Sequence, residues 1–188
     1  MLLHKHYHIL KQFLGNYRKE IYGRELIKKI PLSQKAIALT LRELEGILLP
    51  KKTGNIRFYS LNLKHPDIRN ILAITELMKK IEFFRRHRTL SELFRRDDRI
   101  VLIYGSYAKG LQRKGSDLDL MIIGKKRIND YNGKPYDINI DIKYLTEKEC
   151  KHLIKKDNLL REVIENPIVV FNTERFINLL WEDYYGFD

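Results

Sequence analysis

The sequence is poor in cysteine and has no long apolar run. Cys150 is the only cysteine in 188 residues, which excludes a disulfide framework and a zinc site built from several thiolates, and favours an intracellular setting. No run of about 18 apolar residues occurs, as a membrane span would need. Residues 1–6 also lack the longer apolar core of a signal peptide. We therefore expect a soluble, cytoplasmic protein with no membrane segment.

Acidic residues are scarce in one part of the chain. The chain has 36 Lys and Arg against 24 Asp and Glu, a net charge of +12. Residues 1–64 hold 13 Lys or Arg against 4 Glu, a net charge of +9, whereas residues 99–188 hold 15 against 14, a net charge of +1. Such asymmetry favours a polyanionic partner such as nucleic acid for the first third of the chain. A basic face that only improves solubility is the alternative.

The most specific pattern is a Gly-Ser pair followed by two aspartates. Gly105 and Ser106 end an apolar run, and Asp117 and Asp119 follow a short loop later. Side chains two apart on a strand share one face, so the two carboxylates would lie side by side. Adjacent carboxylates are costly unless a cation neutralises them, and hard oxygen ligands suit Mg²⁺ or Mn²⁺ bound to substrate phosphates. The pattern predicts metal-dependent chemistry on a phosphate.

The Gly-Ser pair predicts the phosphate contacts. A glycine after a strand lets the backbone approach a ligand closely, so Gly105 and Ser106 would contact phosphate. Lys109 and Lys114, near or in the loop between the two motifs, would supply cations to the outer phosphates.

These motifs resemble a known family. Residues 105–110 and 116–120 are similar to the signature of the DNA-polymerase-β-type nucleotidyltransferase superfamily, in particular its minimal nucleotidyltransferases. The resemblance covers roughly residues 98–188. It implies transfer of a nucleoside monophosphate from an NTP, with ATP favoured, to an acceptor hydroxyl on a protein, an RNA end or a small molecule. Binding of nucleotide without turnover, in a DNA-binding regulator, is the alternative.

The resemblance also implies a third carboxylate on a neighbouring strand. Asp137 and Asp141 are the two candidates, and Asp141 is chosen because residues 140–142 followed by 146–148 are more similar to the third motif of the family. Asp117, Asp119 and Asp141 would then be the catalytic residues and the ligands of Mg²⁺ or Mn²⁺.

The segment between the second and third motifs departs from the family. Members often place a helix there, but residues 124–135 are short and polar. Asn132-Gly133 at their centre is typical of a two-residue hairpin turn. It predicts a hairpin that joins residues 127–131 to residues 136–144.

The basic N-terminal part resembles a winged helix-turn-helix domain. Helices are predicted over residues 2–14, 22–30 and 33–45, and a β-hairpin follows over residues 47–61. On the third helix and the wing, the residues expected to face nucleic acid are Gln34, Lys35, Arg42, Lys51, Lys52 and Arg57. Ala38 and Leu39 on the same helix cannot make bidentate contacts to base edges. Specific DNA binding, non-specific nucleic-acid or partner binding, and a structural or dimerising role therefore all stay open.

A helix with a wide apolar stripe connects the two parts. Its apolar positions recur at helical spacing from Ile68 to Phe84, so it would pack on the domains or form a homodimer. The predicted fold is α+β with two domains: a winged helix-turn-helix domain over residues 1–64, a helical linker over 65–97, and a nucleotidyltransferase domain over 98–188 with a mixed sheet and flanking helices.

Overall fold

Helices and two separate β-sheets build the chain, in agreement with the predicted α+β class. The computed structural model describes residues 4–128 and 130–187. Two compact units divide the chain, Met1–Thr75 and Glu76–Asp188, and each is described by itself. The domain limits at residues 64 and 97 stay a prediction.

The first unit joins short helices to a small antiparallel sheet. Its helices are α1 (His4–Leu10, continued by the 3₁₀ turn Lys11–Phe13), α2 (Gly23–Lys29) and α3 (Gln34–Glu43), and its strands are β1 (Ile21–Tyr22), β2 (Leu48–Thr53) and β3 (Ile56–Leu61). The sheet order is β1-β3-β2. The Ser33 hydroxyl accepts a hydrogen bond from the Ala36 N–H and caps α3, as the sequence predicts. The predicted hairpin is also observed, and its tip contains Gly54 with a φ of +60°. The first predicted helix is observed from His4 onward, and its positions 2 and 3 lie outside the described residues.

Helix α4 (Ile68–Arg86) follows the hairpin. The predicted single apolar stripe proves to be two faces of this helix. Ile68 and Leu72 are buried, whereas Ile74, Leu77 and Ile81 are 39–51% exposed. The division arises because positions 74, 77 and 81 recur at spacings of three and four residues on a face different from that of positions 68 and 72. A homodimer through α4 stays a prediction. In the described part of the chain, no helix has the length and apolar character needed to cross a membrane.

A four-stranded mixed sheet forms the centre of the second unit. Its strands are β4 (Ile100–Ile103), β5 (Leu118–Ile123), β6 (Ile140–Leu145) and β7 (Ile168–Phe171), in the order β6-β5-β4-β7. Strand β4 is antiparallel to both β5 and β7, whereas β5 and β6 are parallel. The helices of this unit after α4 are α5 (Arg88–Ser91), α6 (Gly105–Lys109), α7 (Glu147–Leu153), α8 (Asn158–Glu165) and α9 (Thr173–Leu179), which continues into a π-helical turn.

The alternation of β5 decides which of its side chains reach the core. Leu118, Leu120 and Ile122 belong to a buried apolar cluster that includes Phe83 of α4 and Leu90 of α5. The odd-numbered side chains of β5 therefore lie on the opposite face of the sheet. This is the face predicted for Asp119, whereas Asp117 lies just before the strand and not on it as predicted.

The predicted hairpin between residues 127 and 144 is wrong. None of the described residues between β5 and β6 lies in a strand, and position 129, inside the first predicted strand, lies outside the described residues. Gly133 has a φ of −84°, whereas the turn predicted for Asn132-Gly133 needs positive φ at both positions. The Asn132 side chain instead accepts a hydrogen bond from the Lys134 N–H and starts a 3₁₀ turn. The segment is long enough for the crossover that a parallel pair of strands needs.

A buried ion cluster anchors that segment. The Arg99 guanidinium donates to Asp97 at 2.7 Å and to Asp130 at 2.5 Å, and all three side chains are less than 10% exposed. The hydroxyls of Tyr131 and Tyr144 donate to Asp97 and Asp130 respectively. Asp130, within the segment predicted to form the hairpin, is therefore a partner of a buried arginine.

Candidate active site

The Gly-Ser motif and the second aspartate lie against each other. Strand β4 is followed by Tyr104, whose N–H donates to the Asp119 carbonyl at 3.1 Å, and then by Gly105 at the start of α6. Gly105 has a φ of +67°, and a Cβ placed on it would lie 2.1 Å from Asp119 Oδ2. Only glycine suits this position, because its backbone is left-handed and the Asp119 carboxylate occupies the space of a side chain.

Parallel pairing of β5 and β6 brings Asp141 to the sheet face of Asp119. Asp119 and Asp141 are register partners, so their side chains share one face. Asp117 lies in the loop just before β5 and is exposed, as is Asp141, whereas Asp119 is partly buried. The alternative, Asp137, lies outside β6 and has a left-handed φ of 54° at the end of the 3₁₀ turn.

Asp119 is affected by the charges of the other carboxylates. Its pKa is raised, first by burial and then by the charges of Asp141 and Asp117. Lys143 opposes this effect and lowers the pKa. Lys143 follows Asp141 by two positions on the same strand, and this spacing in the sequence is the signal that places both side chains on one face.

Two further residues belong to this site that the sequence did not indicate. Burial, together with the charges of Asp119, Asp141 and Glu162, raises the pKa of the Tyr104 hydroxyl to about 12. Glu162 also acts on Asp119. It comes from α8, more than forty residues after Asp119. No local pattern could have found it, because its position depends on how α8 packs.

The predicted phosphate contacts have different environments. Ser106 follows Gly105 in α6, and its carbonyl accepts from the Leu111 N–H at 2.9 Å. Lys109 forms an ion pair with Glu162 at 2.5 Å rather than pointing freely to solvent. Lys114 is exposed in the loop before Asp117 and forms no ion pair with a described residue.

An open groove lies against strands β5 and β6, and none of the three aspartates lines it. It encloses about 290 Å³, and its lining includes Met121 and Lys143, which follow Asp119 and Asp141 by two positions. Leu153, Leu159 and Leu160 supply apolar walls from α7 and the region of α8. The groove therefore offers an apolar surface next to a cluster of negative charge.

The predicted metal ligands do not form a ready cluster. Within residues 4–128 and 130–187, no group of three or more His, Cys, Asp or Glu side chains is arranged to hold a metal ion. The donor chemistry nevertheless fits a hard divalent cation, because carboxylate oxygens from Asp119 and Asp141 share one face and crowd each other electrostatically.

The residues predicted to contact nucleic acid all lie in the first unit and are exposed. Gln34, Lys35 and Arg42 are on α3. On the hairpin, Lys52 and Arg57 are register partners. The neighbouring Lys51 forms an ion pair with Glu20 at 3.2 Å.

The comparison with protein families agrees with the geometry of the second unit. Residues 88–176, just under half of the chain, match the family model described as Polymerase beta, Nucleotidyltransferase. The match supports the nucleotidyltransferase superfamily for this part of the chain, and nucleotidyltransferase activity at the level of the family. Gly105 and the three aspartates lie inside the matched segment. Neither the comparison with curated proteins nor that with solved structures returned a significant match.

Proposed function

We propose that the second unit transfers a nucleoside monophosphate from an NTP to an acceptor hydroxyl. The observation that carries the proposal is the contact between Gly105 and the Asp119 carboxylate, with Asp141 in register beside it. This arrangement joins a backbone that can approach phosphate to a set of carboxylates, within a segment that matches a nucleotidyltransferase family. ATP is the NTP that the sequence resemblance favours.

Asp117, Asp119 and Asp141 would hold Mg²⁺ or Mn²⁺. When bound, such ions neutralise phosphate charge and favour deprotonation of the attacking hydroxyl. The raised pKa of Asp119 supports this role, because a cation would relieve the repulsion that causes part of the shift. Asp141, exposed at the sheet edge, would complete the ligand set and assist removal of the acceptor proton.

The transfer itself would be an exchange of bonds at the α-phosphorus. The acceptor oxygen forms a bond to this phosphorus, the bond to the β-phosphate oxygen breaks, and pyrophosphate leaves. Gly105 and Ser106 would bind the β- and γ-phosphates and align the leaving group. Lys109 would contact the same phosphates only after it exchanges its partner Glu162 for them. Lys114 would add a further cation from the loop.

The groove beyond the carboxylates gives space for the remainder of a substrate. Its apolar walls suit a nucleobase or an apolar part of the acceptor, and Lys143, whose charge acts on Asp119, also lines it. The acceptor hydroxyl would belong to a partner protein, an RNA or a small molecule.

For the first unit we propose a winged helix-turn-helix domain that binds nucleic acid or a protein partner. Support comes from α3, which is followed by an antiparallel hairpin paired to β1, and from the net charge of +9 over residues 1–64. The phosphate contacts would come from Gln34, Lys35, Arg42, Lys51, Lys52 and Arg57.

The test is transfer of label from NTP. Purified protein with Mg²⁺ and each of the four α-labelled NTPs, with and without cell extract, should label the protein, a partner or RNA. Asp119→Asn should abolish labelling, whereas the matched control Asp137→Asn should retain it. Nucleotide binding without metal-dependent transfer to any acceptor would instead support a DNA-binding regulator that only senses nucleotide.

A further inference from the structure

The first unit contains a groove that the prediction of a duplex-binding face does not explain. It encloses about 410 Å³ between the start of α2, one side of α3 and the β-hairpin. Its volume falls within the range of about 300–1,000 Å³ that small-ligand pockets occupy. Every lining residue belongs to residues 22–59, so the groove lies wholly within one unit.

The rim of the groove is positively charged. Arg24 of α2, Arg42 of α3 and Arg57 of β3 line it from three different elements, and all three are exposed. Among the described residues none of these arginines forms an ion pair, while one acidic residue, Glu45, also lines the groove. Guanidinium groups bind phosphate oxygens in a bidentate manner, so this rim is complementary to one or two phosphates.

The floor is apolar and aromatic. Ile37 and Leu48 are buried there with 2% exposure. Tyr59 on β3 adds a partly buried ring to the walls. Tyr22 also lines the groove, but its ring packs against Phe58, with 5.9 Å between the ring centroids. Rings and aliphatic side chains of this kind are the surfaces on which unstacked bases pack.

Ala38 has a clear place in this groove. The sequence places it where a base-contacting helix would carry a polar side chain, and alanine makes no hydrogen bond to a base edge. In the structure Ala38 is exposed and lines the groove, so its small side chain leaves the space open. Its neighbour Leu39 is 50% exposed and does not line the groove.

We infer that this groove binds one unstacked nucleotide of a single-stranded nucleic acid. The base packs on the apolar floor and on Tyr59, and the adjoining phosphates bind the arginines. A base pair inside a duplex presents only its edges and cannot enter a concave site of this size. The inference deepens the proposed nucleic-acid role of residues 1–64 and does not depend on nucleotidyl transfer.

The test compares two tryptophan substitutions in the full chain. Fluorescence anisotropy with a labelled ten-nucleotide RNA, the same sequence as DNA, and a hairpin duplex measures affinity without NTP or divalent cation. Ala38→Trp fills the groove without changing charge, and should weaken single-strand binding at least tenfold while leaving duplex binding within twofold. Leu39→Trp, one position along the same helix, should leave both within twofold. Circular dichroism melting checks that both variants fold.

A charge variant keeps the inference testable if Ala38→Trp does not fold. Arg57→Gln is on an exposed strand position, and should weaken single-strand binding and reduce its salt slope by about 0.7 for one lost phosphate contact. Millimolar AMP or UMP should compete with the labelled single strand for the wild-type protein but not for Ala38→Trp. This result would show that a free mononucleotide binds in the same groove. The inference would be overturned if Ala38→Trp and Leu39→Trp changed the single-strand affinity equally. It would also be overturned if the wild-type protein bound the duplex as tightly as the single strand and Ala38→Trp weakened both affinities. Because the assay contains no NTP, its failure leaves nucleotidyl transfer untouched.

Discussion

Replacement of Gly105 by alanine should show whether the position of the Asp119 carboxylate controls the rate of transfer, apart from any effect on the stability of the fold. A Cβ at Gly105 would lie 2.1 Å from Asp119 Oδ2, whereas ordinary contact begins at 3.4 Å. The carboxylate oxygen must therefore move by about 1.3 Å. Since a misplacement of about 1 Å in an active site costs on the order of 100-fold in rate, Gly105→Ala should lower kcat/KM for transfer by at least about 100-fold. The left-handed φ adds a stability cost of about 1–2 kcal/mol.

Gly110 provides a matched control for the backbone effect. Its φ of +69° is nearly that of Gly105, but a Cβ there meets nothing within 4 Å. Gly110→Ala should therefore lower the melting temperature by the same few degrees as Gly105→Ala and leave the transfer rate within about threefold. Transfer of labelled NMP and differential scanning fluorimetry measure the two quantities. Equal transfer rates in the two variants would refute the assignment of Asp119 to the reaction centre.

Three further predictions follow from other parts of the chain. Asp141→Asn should lower the transfer rate at least tenfold and leave the nucleotide affinity within threefold, whereas Asp137→Asn should change neither. Transfer and equilibrium-binding assays measure the two quantities, and the opposite ranking of the variants would place the third carboxylate at Asp137. Burial alone would raise the pKa of Asp97, but its hydrogen bonds lower the pKa from 3.8 to about 2, so the stabilisation is present above pH 3.8 and is lost as the pH falls through 2. In urea unfolding, the free energy of unfolding should fall by about 2 kcal/mol between pH 5 and pH 2, and Asp97→Asn should lack this fall. Equal slopes of the free energy of unfolding against pH in the two proteins would contradict the role of this ion pair. Lys51→Ala with Lys52→Ala should weaken all nucleic acids about equally and flatten the salt dependence, and a change confined to one sequence would count against backbone contacts.

Much of the candidate site could be predicted from the sequence because its motifs are local. The alternation of a strand sends Leu118 and Leu120 to the core and Asp119 to the other face, whatever the sheet order. The glycine at position 105 was likewise expected at a close backbone approach. The helix cap at Ser33 and the basic hairpin depend on neighbours within a few residues, and both are observed as predicted.

The hairpin at Asn132-Gly133 could not be judged locally. The pattern of that segment favours a two-residue turn, yet the buried Arg99 binds Asp130, which is 31 residues away in the chain. No short window of the sequence contains both partners of this ion pair. Strand β6 pairs in parallel with β5, so the segment between them is a crossover and not a hairpin.

The sequence by itself determined the strand face of Asp119, the α+β class and the basic character of residues 1–64. Only the tertiary structure decided that Asp141 is opposite Asp119, that Glu162 holds Lys109, and that three arginines surround one groove. The physical reason is the range of the interactions. Alternation, capping and turn preferences act over a few bonds, whereas electrostatic repulsion between carboxylates and the shape of a groove depend on elements that only packing brings together.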